Sequence, residues 1–511
     1  RNAKIPTRLG DYQLYSAYCL YTGDPNTYQQ AILKGEEWKS AIDKEIEAHQ
    51  KHGTWIPAPL PEGKKPIDTR WIFKTKQDGT KKARLVAKGF QEEEHYEVYS
   101  PVARYATIRM LISFAVQRNW DIRQLDIPTA FLHGNLDIEV YIKTPEGVNT
   151  NSRTLKLQKA LYGLREAPRK WNERFHDFIV SHGLIRSGSD FCLYFGAGAA
   201  VVVWVDDILI CGPRSEELIQ AMVKEFNAKD LGTLKVFLGT EIVRSKDKCS
   251  ISQTTYLDKV LTKFKMKDSR GAGTPMEFNF QYEESSEAAE VPYREIVGSL
   301  MYLAVISRPD IAYAVACLSR YLDKPNQLVW QAAKRVLKYL NFTRDYALIY
   351  RKSDMHEITA YTDANWATDI QDRKSISGTA VFHCGNLVSW ISKKQQCVAQ
   401  SSYESEYLAC AQTASEVLYL MGVSQDLSGE KVCPVIKIDN QSVLKSAQNF
   451  ENSKRSKHVN VKAHFIKDIV TKNIVKLEYV QTNDNVADIL TKALKAAKFI
   501  HFRNLMNLEK C

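Results

Sequence analysis

At 511 residues, with 44% hydrophobic, 25% charged and 10% aromatic side chains, the chain has room for three or four domains and is too apolar for extended disorder. Its purely apolar runs, 199–205 among them, are far too short to cross a bilayer, so no membrane-spanning helix is expected. Lys and Arg number 70 against 59 Asp and Glu, and the net charge of +11 leans toward a polyanionic partner such as nucleic acid. No secretory leader pattern follows Arg1, and the opening without Met suggests either a processed product or an engineered fragment. The ten cysteines stand singly, with no CxxC, which favours free thiols in a reducing compartment over a zinc or disulfide framework.

Over 37–51, the spacing of Trp38, Ile42 and Ile46 predicts an amphipathic helix. WIFKTK and KKARLVAKGF flank Asp78-Gly79, a strong hairpin signal, and place Lys74, Lys76, Lys81, Lys82, Arg84 and Lys88 on or beside two strands. Such a hairpin is either a solvated face or a basic flap that holds phosphates, and its cation density tips the reading slightly toward the flap. TIRMLISFAVQRN predicts a helix leading into a short strand that ends at Asp126 and turns into another helix. Farther on, AAVVVWVDDILIC reads as strand, acid pair, strand. An acid pair between apolar runs is most often a plain hairpin turn, yet burying one is costly unless a cation or metal is present. Residues 277–290 carry five acids and no base and predict a surface loop. Amphipathic helices are expected near 293–306, 309–322 and 327–340, the last with Lys334, Arg335 and Lys338 on an exposed side. From about 355 the pattern predicts a strand, a hairpin turning at Gly385-Asn386, a long helix over 401–420, a strand VIKIDN, a helix to about 450, a basic helix over 454–472, a strand VKLEYV and a final helix from Asn485. That succession is an α/β domain.

Acids mark the element ends of this last domain: Asp363 and Asp439 at strand ends, Glu406 early in the long helix, Asp488 opening the final one. Each alone reads as a cap or strand-end acid. Four brought together repel one another unless cations intervene, and paired Mg²⁺ roughly 3.5–4 Å apart is the arrangement that cuts phosphodiesters. Asp126 with Asp206 and Asp207 repeats the logic upstream, where hard oxygen ligands suit Mg²⁺ and phosphoryl transfer.

KARLVAKGF, QLDIPTAFLHGNL, KALYGLREAPRKWNERF, WVDDILI, KDLGTLKVFLGTEI, SRPDIAYAVACLSRYL, YTDANWA, SSYESEYLA, DNQSVLK, KHVNVKAHFI and NVADILTKAL, in that order, closely resemble copia-type (Pseudoviridae) LTR-retrotransposon Pol polyproteins. The likeness runs from about Thr27 to the C-terminus and covers the reverse transcriptase–ribonuclease H segment. It implies an α+β right-hand polymerase (fingers, palm, thumb) followed by an RNase H-like α/β domain. The expected limits are an N-terminal extension over 1–36, fingers and palm over 37–245, a thumb or connecting helical region over 246–350, and RNase H over 351–511.

The same resemblance implies an RNA- and DNA-directed DNA polymerase with ribonuclease H activity, using two Mg²⁺ per site with Mn²⁺ able to substitute. Asp126, Asp206 and Asp207 would be the palm ligands, and Asp363, Glu406, Asp439 and Asp488 the nuclease ligands, with Glu404 a competitor for Glu406. Lys82, Arg84 and Lys74 would hold the triphosphate, Phe131 would exclude a 2′-hydroxyl, and Tyr162, Gly163 and Pro168 would form the nucleotide and template platform. Trp204 (where the family usually has Tyr) and the turn Phe237, Leu238, Gly239 would meet the primer. Lys334 and Lys338 would track the duplex, Lys229 would serve as proton donor to pyrophosphate, and His458 and His464 would touch a substrate strand. The mobile His that many cellular ribonucleases H carry before their last Asp is absent from VQTNDNVAD. Implied partners are RNA template, DNA primer, RNA–DNA hybrid, a tRNA-type primer, dNTPs, a second copy of the chain and integrase, with no membrane. The expected location is a cytoplasmic virus-like particle, with the nucleus as a second site. The competing expectation is a domesticated or decayed retroelement protein acting as a nucleic-acid-binding scaffold, but all seven proposed ligands are intact.

Overall fold

The computed structural model describes residues 23–76, 78–93, 98–278, 280, 289–354, 358–369, 371–448 and 457–511. Most of the acidic stretch 277–290 and the first 22 residues of the expected extension lie outside these. The predicted hairpin forms as Thr69–Thr75 paired with Lys81–Ala87, and Gly79 supplies the positive φ of 84° its turn needs. Alternation decides its two faces. Trp71, Phe73, Ala83 and Leu85 pack on Trp38 and Ile42 of the helix Glu36–His52, while Lys74, Lys82 and Arg84 point the other way. The short helix Tyr28–Leu33, capped by Thr27, adds Ala31 to this same core. Part of the expected extension is therefore built into the hairpin layer.

Beneath it lies a six-stranded antiparallel sheet in the order Lys229–Thr233, Ile122–Asp126, Asp207–Cys211, Ala199–Trp204, Leu193–Gly196, Ile185–Arg186. Both faces of the central strands Ala199–Trp204 and Asp207–Cys211 are buried, which is why 199–203 and 208–211 read as unbroken apolar runs. Ile122, Val202, Leu209 and Cys211 join the core that contains the helix Tyr105–Arg118. Leu125, Val201, Val203, Ile208 and Ile210 join the one that contains Ala167–Ser181 and Ser215–Phe226. A three-stranded sheet, Trp55–Pro57, Thr154–Leu157, Tyr141–Lys143, borders the second core.

The connecting helices are Thr254–Lys263, Tyr293–Ile306 and Gln327–Phe342. The helix expected over 309–322 is broken: only Ala312–Leu318 is α-helical, between the 3₁₀ turns Pro309–Ile311 and Ser319–Tyr321. These helices pack near a five-stranded sheet in the order Val236–Phe237, Thr240–Arg244, Lys248–Ser252, Tyr346–Arg351, Leu508–Lys510. The last strand is a correction to the sequence reading, which ends on a helix from Asn485. The structure instead has a 3₁₀ turn Val486–Leu490, a helix Ala496–Leu505 and this terminal strand. Three residues are too few to show a period.

The C-terminal domain is a five-stranded mixed sheet, Asn386–Lys394, Ile376–His383, Ile358–Asn365, Val435–Ile438, Lys476–Tyr479, with the last two strands parallel to the third. Its hairpin turns at Cys384-Gly385, one residue before the expected position. Both carry positive φ, 49° and 74°, as a two-residue hairpin of this twist requires. Asn386 opens the next strand instead, and its buried amide donates to Ser113 and to the Arg351 carbonyl. The long helix runs Ser402–Ser428, and the basic helix Lys457–Thr471.

Helix Tyr105–Arg118, buried along its whole length from Ala106 to Val116, joins the two halves. Arg109 is its central contact. Nε donates to the Val388 carbonyl at 2.8 Å, Nη1 to Val305 and Ile306 at 2.9 and 3.1 Å, and the guanidinium covers the Trp390 ring at 3.9 Å. On the same seam Asp190 accepts from Thr107 and Tyr419 at 2.6 and 2.8 Å, and Ser187 donates to Asp426 at 2.5 Å.

Candidate active sites

Strand register sets the first centre. Asp207 stands directly opposite Asp126, Lys229 flanks Asp126 on its other side, and Trp204 flanks Asp207. Asp206 shares the connecting turn with Val205, whose φ of 58° is strained for a β-branched residue. Two contacts hold that turn: the Trp171 indole donates to the Val205 carbonyl at 2.6 Å, and the Ile127 amide to the Asp206 carbonyl at 2.9 Å. Burial lifts the Asp207 carboxyl to about 6, helped by the Asp206 charge and opposed by the Gln124 amide 3.4 Å away. Burial raises Asp206 too, against its own backbone amide and the Arg84 guanidinium, which lies 3.9 Å from it.

The hairpin's outer face closes over these acids. Arg84 covers the Tyr162 ring at 4.7 Å, and the Phe131 ring lies 4.7 Å from the same tyrosine. Lys82 is pulled below its ordinary pKa first by burial, then by the positive charges of Arg84 and Lys76. Lys74 faces Lys82 across the hairpin. Gly163 has a structural reason to lack a side chain: at φ 92°, a Cβ there would lie 2.1 Å from the Ala87 carbonyl. Its bare backbone lets the Ala87 amide donate to the Tyr162 carbonyl at 2.7 Å, docking hairpin on platform. Pro168 sits in the first turn of Ala167–Ser181 and accepts from Ser100 at 3.1 Å.

Farther along, Leu238 and Gly239 form a tight turn with φ of 48° and 72°, held by the Tyr302 hydroxyl donating to the Leu238 carbonyl at 2.6 Å. Phe237, only 2% exposed, packs in the core, so its side chain does not face a primer. On Gln327–Phe342, Lys334 covers the Trp330 ring at 5.6 Å and Lys338 is exposed. Arg335, expected on the same free side, bonds Glu277 at 2.9 Å. These three belong to the connecting region and not to either acid cluster.

The second centre is tighter. Asp363 lies near the end of Ile358–Asn365 and Asp439 just past its parallel neighbour Val435–Ile438. Asp488 comes from the turn Val486–Leu490. Carboxylate oxygens of these three lie within 4.8 Å of one another. Among the described residues, Asp126, Asp206 and Asp207 are not gathered so closely. Glu406, 8% exposed on the long helix, lies outside that 4.8 Å group but near enough for the Asp363 and Asp439 charges to act on it. Burial raises both Glu406 and Asp363, and neighbouring acids add to it in each. Lys492 stands 2.8 Å from Asp488 and 3.9 Å from Asp363, Lys498 stands 2.7 Å from Asp488, and Thr491 donates to Asp363. One Glu406 carboxylate oxygen is buried without a hydrogen-bond partner. Four acids with such an orphaned oxygen fit a divalent cation.

Glu404 is otherwise engaged: its amide donates to Ser401 Oγ at 3.2 Å and its carboxylate accepts from Gln400 at 2.7 Å, the reciprocal bonding of a helix start. His464 is exposed on Lys457–Thr471, and the side chain of His458 lies outside the described residues. Sequence reasoning missed Lys492 and Lys498 as partners of the acids, although Lys492 stands one helical turn after Asp488. No helix among the described residues is long and apolar enough to cross a membrane.

Residues 52–278 match the family model for reverse transcriptase (RNA-dependent DNA polymerase). A transposon Ty5-1 protein of Saccharomyces cerevisiae is 32% identical over 308 residues, which are 57% of this chain and 100% of that protein. The chain belongs to the copia-type retrotransposon reverse transcriptase family. The Pol polyprotein of transposon TNT 1-94 from Nicotiana tabacum is 37% identical over 96% of the chain and 40% of the polyprotein. For that of transposon RE2 from Arabidopsis thaliana the figures are 35%, 97% and 36%. This family member thus spans well under half of those relatives. Its fold is similar to a foamy viral protease–reverse transcriptase solved with an RNA/DNA hybrid, at a TM-score of 0.50 and 12% identity over 90% of this chain and 55% of that one. The architecture is accordingly a polymerase fold followed by an RNase H-like domain.

Proposed function

We propose that the chain is a retrotransposon reverse transcriptase, an RNA- and DNA-directed DNA polymerase that also cuts the RNA strand of RNA–DNA hybrids. The observation that carries this reading is the presence of two separate carboxylate centres at strand ends, one beneath a basic hairpin and one gathered within 4.8 Å. Divalent cations, two Mg²⁺ per centre with Mn²⁺ as substitute, would when bound neutralise phosphate charge and lower the pKa of the attacking hydroxyl or water. Asp126, Asp206 and Asp207 would hold them at one centre, and Asp363, Glu406, Asp439 and Asp488 at the other.

The chain's own groups select and position. Lys82 and Arg84, with Lys74 beside them, bind the triphosphate of a dNTP. Phe131, buttressed by Tyr162, closes the sugar pocket against a 2′-hydroxyl. Trp204 and the Leu238-Gly239 turn support the primer end, Lys334 and Lys338 contact the duplex backbone, and Lys229 donates a proton to the leaving pyrophosphate. RNA template, DNA or tRNA-type primer and hybrid are the partners, with a second copy and integrase completing a cytoplasmic particle. Primer extension on an RNA template with Mg²⁺ should vanish in Asp206→Asn, and hybrid cleavage should vanish in Asp439→Asn while extension persists. Extension by Asp206→Asn at the wild-type rate refutes the polymerase assignment, and loss of both activities in Asp439→Asn refutes two independent centres.

A further inference from the structure

The turn that follows Asp363 displays an indole in an unusual way. Strand Ile358–Asn365 ends two residues after Asp363, and Trp366 comes next, 48% exposed. Its N–H donates to the Ala399 carbonyl at 2.9 Å. Ala399 belongs to the segment that leads into Ser402–Ser428, the helix that carries Glu406, so the ring ties the turn after Asp363 to the segment before Glu406. The turn itself is fixed: the Ala367 amide donates to Ser375 Oγ at 3.1 Å, and Thr368 Oγ1 to the Asn365 carbonyl at 2.7 Å. Beside the anchored ring Val398 is 51% exposed, and Gln396 and Gln400 are exposed around it. An anchored, half-exposed indole on the turn three residues past Asp363, with Val398 and exposed amides on the segment it holds, suits the sugar faces and 2′-hydroxyls of a wide, shallow minor groove.

We infer that Trp366, with Val398, is a substrate-positioning surface on which the sugars of an RNA–DNA hybrid rest as the cleaved strand meets Asp363, Glu406, Asp439 and Asp488. This rests on the ribonuclease H reading above. The indole acts by apolar contact and not by proton transfer, so its loss weakens hybrid binding and leaves the chemical step alone.

The test uses the full chain. Trp366→Ala should raise KM for hybrid cleavage roughly tenfold with kcat within about twofold, as loss of a single aromatic contact to nucleic acid does. Trp366→Phe, which keeps a ring and removes the anchoring N–H, should recover most of that loss. In an Asp439→Asn background, where the hybrid stays intact, fluorescence anisotropy should show the same weakening for Trp366→Ala. A wild-type KM in Trp366→Ala, or a fall in kcat alone in both variants, overturns the inference. If Asp439→Asn itself cleaves at the wild-type rate, it is the nuclease reading that fails.

Discussion

Arg109→Met is the substitution that most directly tests how the two halves are held together. The guanidinium is buried and its pKa is pushed down to about 10 by burial, so it remains charged at neutral pH. It faces three carbonyl oxygens, two from the end of Tyr293–Ile306 and one from Asn386–Lys394, and the nearby Glu416 charge favours its protonated form. A hydrogen bond from a charged donor contributes about 1.5–3 kcal/mol, but three from one group share a single desolvation penalty and do not add. Met fills most of the volume and leaves three buried acceptors unpaired, so the net loss should be about 3–4 kcal/mol. Arg109→Lys keeps the charge but offers a point donor in place of a fork, and should lose about half as much. Urea unfolding of the full chain, followed by intrinsic fluorescence and by the survival of primer extension and hybrid cleavage, reads this out. In the wild type both activities should disappear together; in Arg109→Met they should disappear earlier and at separate urea concentrations. An unfolding free energy for Arg109→Met within about 0.5 kcal/mol of wild type would refute the assignment of Arg109 as the pin of the seam.

Gly163→Ala should cost at least about 3 kcal/mol, from a left-handed backbone and a Cβ placed on the Ala87 carbonyl, and should raise KM for dNTP roughly tenfold as the hairpin lifts; unchanged nucleotide kinetics would show that hairpin docking does not matter. Phe131→Val should increase ribonucleotide incorporation relative to deoxyribonucleotide by roughly 10- to 200-fold, the range available to a steric hydroxyl filter, and an unmoved ratio removes the gate. His133 sits among His52, Trp171 and Phe226 with Nε2 unpaired, and burial lowers it from 6.5 to about 4. The unfolded chain then takes up its proton first as pH falls, so stability is full above pH 6.5 and declines toward pH 4, by about 3 kcal/mol at most. His133→Leu should flatten that decline in urea titrations at several pH values, and an unchanged slope would assign it to other groups.

The strand-end acids were legible because a strand's end is marked locally, by an apolar run that stops at a carboxylate. The run before Asp206 and Asp207 fits that mark, while Asp126, Asp363 and Asp439 follow β-rich segments broken by polar residues. Register then brings Asp126 opposite Asp207 and sets the strand of Asp363 beside the strand that precedes Asp439. Spacing to Ala409 selects Glu406 over Glu404 in the sequence, and the fold adds the reason the competitor is spent: Glu404 caps the helix it shares with Glu406. Arg109 was not legible at all. In TIRMLISFAV a lone Arg reads as the exposed edge of an amphipathic helix, and nothing local says that a second domain will cover that edge with carbonyls and an indole. The terminal strand Leu508–Lys510 was hidden for a related reason, because its partner Tyr346–Arg351 lies more than 150 residues earlier in the chain.

The strained positions follow the same division between local and tertiary causes. Val205 and Leu238 both adopt left-handed backbone where Gly or Asn would be comfortable, and each turn sits where the polymerase reading needs substrate contact. Local preference would replace either residue. What holds them is distant: Trp171 on one carbonyl and Tyr302 on the other, each from a helix packed against the sheet concerned. Removing the Trp171 or Tyr302 donor should therefore relax the turn before it unfolds the domain. A turn held from outside can keep a bulky apolar side chain aimed at a substrate, which a self-stabilised Asn-Gly turn could not supply. The strain at Val205 thus marks Asp206 and Asp207 more specifically than their charge does, because an ordinary hairpin would have been built without it.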